Sequence, residues 1–168
     1  MSVVTYRGHT KRAVNWYNQD NIYLAIGRTT PWEDENFPPY PEPSDNLEEL
    51  ICCKKIEQKY YVIQDDNGTI FYRGKMYRVL TEEEAFENNC RWVFCSCWLN
   101  YDEAPINISY RQIALLTDVV RKEGVPEGQY VLLPEEIENL GDLEVLANDT
   151  VTARSASKRE RLAIIIEF

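Results

Sequence analysis

Cysteine is the residue type in this 168-residue sequence best suited to chemistry, because thiolates bind metals and form disulfides. The five thiols are Cys52, Cys53, Cys90, Cys95 and Cys97. On a strand, Cys52 and Cys53 would point to opposite faces, whereas Cys95 and Cys97 would share one face. A zinc site usually takes two pairs of Cys or His separated by a few residues, and the sequence matches that pattern weakly. We therefore expect neither a metal site nor a cofactor.

The redox state of these thiols depends on where the chain folds. The N-terminal segment contains no apolar run followed by a small-residue cleavage site, so we expect synthesis and folding in the cytosol. Cytosolic thiols stay reduced, and an odd number cannot all pair within one chain. Three fates stay open: buried free thiols, metal ligands, and disulfides between chains that form after release from the cell.

Catalytic acids, bases and nucleophiles have few candidates. His9 is the single histidine and lies beside basic residues, which favours a solvated side chain. Asp65 and Asp66 suit a hairpin turn, and Glu82 to Glu84 suit the first turn of a helix. The scattered glycines form no phosphate-binding loop. We expect no catalytic residue, no enzyme activity and no small-molecule substrate.

Acidic residues dominate the charge of the chain, which carries a formal net charge of −10. Four of them could hold a cation by composition alone, without EF-hand spacing: Asp34, Glu35, Asp102 and Glu103. An acidic surface repels phosphates and anionic lipid, so we expect neither nucleic acid nor a membrane as partner. The acidity provides solubility and is also compatible with docking onto a basic partner.

Most segments that must position these side chains are predicted strands. Apolar and β-branched runs bounded by turn residues predict strands at 22–27, 50–64, 69–80 (two strands joined by a turn at 73–75), 91–99, 108–117, 129–133 and 161–168. The strands follow one another without long helices, which favours antiparallel pairing. The predicted fold is mainly β (α+β), with antiparallel sheets or a sandwich of about seven strands, two or three short helices and a long Pro-rich loop. We expect a single domain over 1–168.

Helices are predicted at two places. The N-terminal arm, residues 1–21, should contain a helix over 8–21 that begins with Thr10 as N-cap. A second helix over 81–88 has the capping-box pattern of Thr81 and Glu84. A further helical turn is expected to open at Pro134 and end at Gly141.

The terminal strand, 161–168, is apolar on both faces. Such a strand usually lies at the centre of a sheet or between layers, and we expect an ordinary core strand. The alternative is strand addition to a neighbouring subunit.

The Pro-rich segment, residues 29–48, contains five of the eight prolines. Proline cannot join a sheet ladder or a helix interior, so the segment should lie over the surface as an extended loop. Trp32 and Tyr40 in this loop could pack back onto their own domain or anchor a partner, because aromatics on a stiff segment make good interface contacts. Arg28 and Arg111 should pair with carboxylates, either within the domain or across an interface.

Several motifs in fixed order carry a family resemblance. They are a strand ending in Gly27-Arg28, Pro31-Trp32, the loop Pro38-Pro39-Tyr40-Pro41, the strand motif Arg111-Gln112-Ile113, and a final strand that ends at Phe168. With these motifs the chain resembles the smaller relatives of the baseplate wedge protein made by gene 8 of T-even-type contractile phages. The T-even protein is much longer, so this chain would keep one core domain without the insertions.

The resemblance implies a non-enzymatic structural role as a wedge subunit of a contractile phage baseplate. Its partners would be other baseplate and tail proteins of the same virion, with a second copy of itself as a further candidate. The protein would be assembled in the host cytoplasm and reside in the virion. The implied interface residues are Arg28, Pro31, Trp32, Pro38, Pro39, Tyr40, Arg111 and Phe168.

A small-molecule-binding or carbohydrate-binding β-domain is the alternative function, with Trp and Tyr as stacking platforms. The placement of exposed aromatics distinguishes the two. Aromatics gathered in a concave patch would favour ligand binding, and aromatics on a flat or protruding loop would favour assembly.

Overall fold

Strands dominate the computed structural model, which describes residues 1–168. The elements in chain order are α1 (Tyr6–Tyr17), β1 (Ile22–Gly27), β2 (Cys52–Lys55), β3 (Gln58–Gln64), β4 (Ile70–Tyr72), β5 (Lys75–Leu80), α2 (Glu82–Glu87), β6 (Trp92–Leu99), β7 (Ser109–Thr117), β8 (Val120–Arg121), β9 (Val131–Leu132), a 3-10 helix (Pro134–Glu136), β10 (Ile137–Asn139), β11 (Asp142–Ala153) and β12 (Glu160–Glu167). The predicted fold class is confirmed: the chain is mainly β, with antiparallel sheets, short helices and a long Pro-rich loop.

The structure has twelve strands rather than about seven, for two reasons. Strands β8 and β10 are only two or three residues long, carry little sequence signal and were not predicted. In addition, the predicted strand over 50–64 is interrupted after Lys55, so that β2 and β3 join different sheets.

Strand β11 is the longest strand that the sequence analysis did not predict. It contains Asn148 and Asp149, residue types that strands disfavour, and it forms because β7 pairs with it from Asp142 to Ala153. The helical turn expected from Pro134 ends after three residues and continues as β10. Gly141 then turns the chain with φ of +73°, and an added Cβ would lie 2.0 Å from the Thr117 carbonyl oxygen.

The contacts of the chain define two compact units, which we describe separately. Unit 1 comprises residues 1–20, 57–96 and 165–168, and unit 2 comprises residues 21–56 and 97–164. The prediction of a single domain stays a prediction.

Unit 2 contains the sheet with the order β11-β7-β1-β2-β9, which is antiparallel throughout. Its central strand, β1, is buried along its whole length, as expected for a strand covered on both faces. The core on one side contains Tyr23, Ala25, Ala114 and Leu116. Strand β11 forms one outer edge of this sheet.

A second sheet has the order β12-β6-β3-β5-β4. Strands β3, β4 and β5 lie in unit 1, while β6 and β12 supply residues to both units. A turn is present within the predicted range 73–75. It consists of Arg73 and Gly74, both with positive φ, because Lys75 already belongs to β5. The Asp65 turn is also present, but it is not a hairpin turn, because β5 lies between β3 and β4. An added Cβ on Gly68 would lie 2.2 Å from the Tyr77 carbonyl, which explains the glycine.

Both predicted helices are present, and the start of the first differs. Helix α1 begins after Thr5, whose hydroxyl accepts a hydrogen bond from the Gly8 amide, so Thr5 and not Thr10 is the N-cap. Thr10 is buried inside the helix and donates to the Tyr6 carbonyl. Helix α2 begins at Thr81 with the predicted capping box to Glu84. Neither helix combines the length and apolar character needed to cross a lipid bilayer.

The terminal strand β12 is an outer strand of its sheet, and one of its faces lies in the core. Its burial alternates: Leu162, Ile164 and Ile166 are buried, whereas Ala163 and Ile165 are half-buried. An edge strand needs only one fully buried face, and the partial cover of the second face accounts for the continuous apolar run.

Candidate functional site

An arginine clamp fixes the Pro-rich loop to the sheet of unit 2. Arg111, buried on β7, donates from Nε to both carboxylate oxygens of Glu35 at 2.8 Å, and its Nη2 also donates to Glu35. Its Nη1 donates to the Thr29 carbonyl at 2.6 Å. The hydrogen bond from Arg111 lowers the pKa of Glu35, and the same pairing raises the pKa of Arg111. The clamp therefore holds the first part of the loop at two points.

Trp32 provides a second attachment. Its side chain is only 9% exposed, and its Nε1 donates to the Asp149 carbonyl of β11 at 3.0 Å. The Arg28 guanidinium lies 3.8 Å from the centroid of the Trp32 ring and forms an ion pair with Glu48. Trp32 thus packs back onto its own unit, one of the two alternatives predicted for it.

The two ends of the loop are tied to each other. The Arg28 amide donates to the Glu48 carbonyl at 2.6 Å, and an added Cβ on Gly27 would lie 2.4 Å from that oxygen. Glu49 accepts from the Thr29 hydroxyl at 2.7 Å and from the Thr30 amide at 2.9 Å. These hydrogen bonds, led by that of Thr29, lower the pKa of Glu49 to about 2. The close approach explains why the loop begins with glycine.

The tip of the loop exposes two aromatic side chains: Tyr40 is 92% exposed and Phe37 is 79% exposed. The backbone beneath them is held, because the Pro39 carbonyl accepts from Asn148 Nδ2 at 3.0 Å. Asn148 in turn accepts from Gln112 at 3.0 Å. Phe37 was missed in the sequence analysis, and its signal was a lone large apolar residue beside Pro-Pro in a polar segment.

A groove of about 410 Å³ lies between residues 40–45 of the loop and strand β11. It is lined by Tyr40, Pro41, Glu42, Pro43, Asp45, Leu143, Glu144, Val145 and Leu146. The loop side of the groove contains a turn in which Asp45 Oδ2 accepts a hydrogen bond from the Glu42 amide at 2.8 Å. Unit 2 therefore presents exposed aromatics on a tied loop beside an acidic groove.

A family model for the "Baseplate wedge 3 tail fiber network component" matches residues 1–168 of this sequence. The chain belongs to this family.

The curated "Virion protein 3" of Enterococcus phage phiEF24C is 28% identical to it over 177 residues. That alignment covers 99% of this chain and 96% of the relative. The resemblance to baseplate wedge proteins is confirmed, and the protein is a structural component of a phage virion.

For a virion component of this family, the eight predicted interface residues fall into four groups. Arg28, Trp32 and Arg111 hold the loop in place, whereas Tyr40 projects from it. The three prolines among them, Pro31, Pro38 and Pro39, lie along the loop. Phe168 is separate: it belongs to unit 1, where its ring lies 5.6 Å from that of Trp16. Whether these residues contact other subunits stays a prediction.

All five cysteines are buried, and none of them forms a disulfide within the chain. Burial raises the pKa of Cys52, Cys53 and Cys95 to about 12, and it also raises the pKa of Cys90. Such thiols are poor nucleophiles in the folded chain. Disulfides between chains stay a prediction, and they would require each Sγ to become accessible first.

The acidic residues considered as cation ligands include two that bind basic side chains. Glu35 pairs with Arg111, and Glu103 pairs with Lys54 at 2.6 Å. No group of three or more His, Cys, Asp or Glu side chains is arranged to hold a metal ion.

A buried ion pair in unit 2 was not foreseen from the sequence. The Arg154 side chain is fully buried and donates from Nη1 to Glu160 Oε2 at 2.6 Å. Arg154 also donates to the carbonyls of Pro105 and Asn100 at 3.0 and 3.1 Å. Arg154 thus joins the loop between β6 and β7 to β12, a structural role.

Unit 1 contains a larger cleft of about 770 Å³. Its aromatic lining residues are Tyr6, Tyr77 and Trp92. The polar lining includes Gln64 and Asn89, beside an ion pair of Arg91 with Glu167 at 2.8 Å. Exposed aromatics therefore occur both on the protruding loop of unit 2 and in this concave patch.

Proposed function

We propose that the protein is a wedge subunit of a contractile phage tail baseplate and holds neighbouring subunits through protein–protein contacts. The observation that carries this proposal is the loop 29–48, whose two ends are tied together while Phe37 and Tyr40 project from its tip. The partners are other baseplate or tail proteins of the same virion, with a second copy of the chain as a further candidate. Assembly takes place in the host cytoplasm.

Because the loop is already ordered in the free protein, less conformational entropy is lost when a partner binds. The Arg111 clamp and the Trp32 contact to β11 order the loop before a partner arrives. Phe37 and Tyr40 each have few rotatable bonds, so burying them at an interface costs little additional side-chain entropy. Aromatic side chains presented in this way are the residues that most often dominate binding energy at interfaces.

The role is mechanical and involves no reaction. A wedge subunit keeps its neighbours in one geometry and lets them move together when the tail is triggered. The free energy for this comes from buried interface area and its central contacts.

Replacing both tip aromatics tests the proposal. F37A/Y40A should weaken binding to the cognate tail protein by about 30-fold or more, because truncating one dominant contact costs about 2 kcal/mol. The matched control is Y101A/Y130A, which removes two exposed tyrosines elsewhere in unit 2. Affinity would be measured by titration calorimetry with each tail protein of the same phage. Equal affinity of F37A/Y40A and wild type would overturn the assignment of the loop.

The unit 1 cleft supports carbohydrate binding as a second candidate function. Gln64, Lys75 and Asn89 line it, and Tyr77 and the face of Trp92 that Arg91 does not cover offer rings for stacking. Neutral glucose and N-acetylglucosamine oligomers would be titrated while tryptophan fluorescence is followed. Saturable quenching that W92A abolishes would favour this function, and an unchanged signal at millimolar sugar would eliminate it for these glycans.

A further inference from the structure

The acidic groove of unit 2 has two sides that no backbone hydrogen bond connects. One side is the outer strand β11 from Leu143 to Leu146, and the other is the loop from Tyr40 to Asp45. Pro41 and Pro43 have no amide hydrogen to donate, and no backbone hydrogen bond joins these two segments. The groove is therefore an open channel beside a sheet edge, with room for an additional extended chain.

The lining of the groove combines apolar side chains from β11 with acidic side chains. Leu143, Val145 and Leu146 are half-buried and offer apolar contact along β11. The charged lining residues are all acidic: Glu42, Asp45 and Glu144. Glu42 has no side-chain partner, whereas Glu144 accepts from the Thr117 hydroxyl at 2.8 Å. A ligand that fits must offer apolar side chains toward β11 and positive charge toward the loop.

We propose that this groove binds an extended segment of a partner subunit that carries Lys or Arg beside apolar residues. The inference rests on the proposed function and adds the chemistry of the partner to it. The basic side chains face Glu42 and Asp45, the apolar ones pack on Leu143 and Leu146, and Tyr40 closes over the segment from the loop side.

A second copy of the same strand is a poor occupant. The pairing of β11 with β7 shifts register after Leu143 and again after Asn148, and such irregularities interrupt the edge that another β11 would need. A second copy would also bring another net charge of −10 to an acidic groove. The charge pattern selects a basic partner from a different protein.

Charge removal in the groove tests the chemistry. E42Q/D45N keeps the oxygen of residue 45 that accepts from the residue 42 amide, and it removes two negative charges. We expect binding of the cognate tail protein to weaken about tenfold at low salt, with a smaller loss at high salt. E123Q/E127Q removes the same charge from exposed positions away from the groove and should bind like wild type. Equal affinity of both variants would overturn the proposal.

Cross-linking identifies the occupant directly. A photoreactive benzoylphenylalanine at position 40 in the full chain, mixed with the other tail proteins and irradiated, should yield one heterologous adduct. Peptide mapping should place it in a segment with Lys or Arg near apolar residues. A cross-link to an acidic segment, or to a second copy, would refute the groove proposal and leave the wedge role intact. If wild type forms no complex with any tail protein, the proposed function itself fails.

Discussion

Removing the Trp32 attachment should release the Pro-rich loop by an amount that the structure allows us to calculate. W32F keeps an aromatic ring but loses the hydrogen bond to the Asp149 carbonyl and weakens the contact with the Arg28 guanidinium. The hydrogen bond contributes about 1 kcal/mol and the cation–π contact about 0.5–1 kcal/mol. The local opening of the loop should therefore become about 1.5 kcal/mol less costly, a factor of about 10 in the open population.

Limited proteolysis measures this opening. The loop contains several glutamates, so an endoprotease that cleaves after Glu should cut it more rapidly in W32F than in wild type. When reclosing is faster than cleavage, the cleavage rate follows the open population and should rise about 10-fold. Y130F serves as control, because Tyr130 is exposed and outside the loop. Equal cleavage rates for W32F and wild type would show that Trp32 does not hold the loop.

Three further predictions concern the rest of the chain. R154M should lower the free energy of unfolding in urea by about 3–5 kcal/mol, because it leaves the buried Glu160 unpaired, and R154M/E160L should recover most of that loss. All five thiols should resist a thiol reagent at pH 8 until the chain unfolds, because each is buried, and rapid labelling of the native protein would contradict this. The pKa of Glu49 is lower in the folded chain than in the unfolded one, so its contribution is present above about pH 4.3 and is lost as the pH falls toward about 2. E49Q should flatten the acid limb of the stability profile, measured by denaturation from pH 5 to 2, and an unchanged limb would refute that role.

Local sequence signals were sufficient where a few adjacent residues determine the conformation. The Thr81 capping box and the turn at Arg73-Gly74 depend on neighbours within a few residues, and both formed as predicted. The burial of β1 follows likewise from its continuous apolar composition. These elements needed no knowledge of the partner strands.

Long-range contacts decided the elements that the sequence did not predict. Strand β11 contains unfavourable residue types and exists through its pairing with β7. The Arg111 clamp joins residues 76 positions apart, so the sequence could supply the charges but not choose Glu35 among 28 acidic residues. The edge position of β12 likewise depends on sheet order, which composition does not determine.

The candidate site depends partly on local sequence signals and partly on long-range contacts. Its loop could be located from proline content, and Tyr40 was singled out there as an interface candidate. The groove could not be found, because its second side belongs to the unpredicted β11. The separate roles of Trp32 and Tyr40 became visible only through their very different burial.

The most direct test of the central claim is the mass of the purified protein in solution, alone and mixed with the other tail proteins of its phage. Native mass spectrometry would resolve the 19.7 kDa chain from any complex. The account predicts a defined hetero-complex with wild type and with Y101A/Y130A, and its loss with F37A/Y40A. A chain that stays monomeric with every tail protein would contradict the wedge role, and a complex indifferent to F37A/Y40A would place the interface elsewhere.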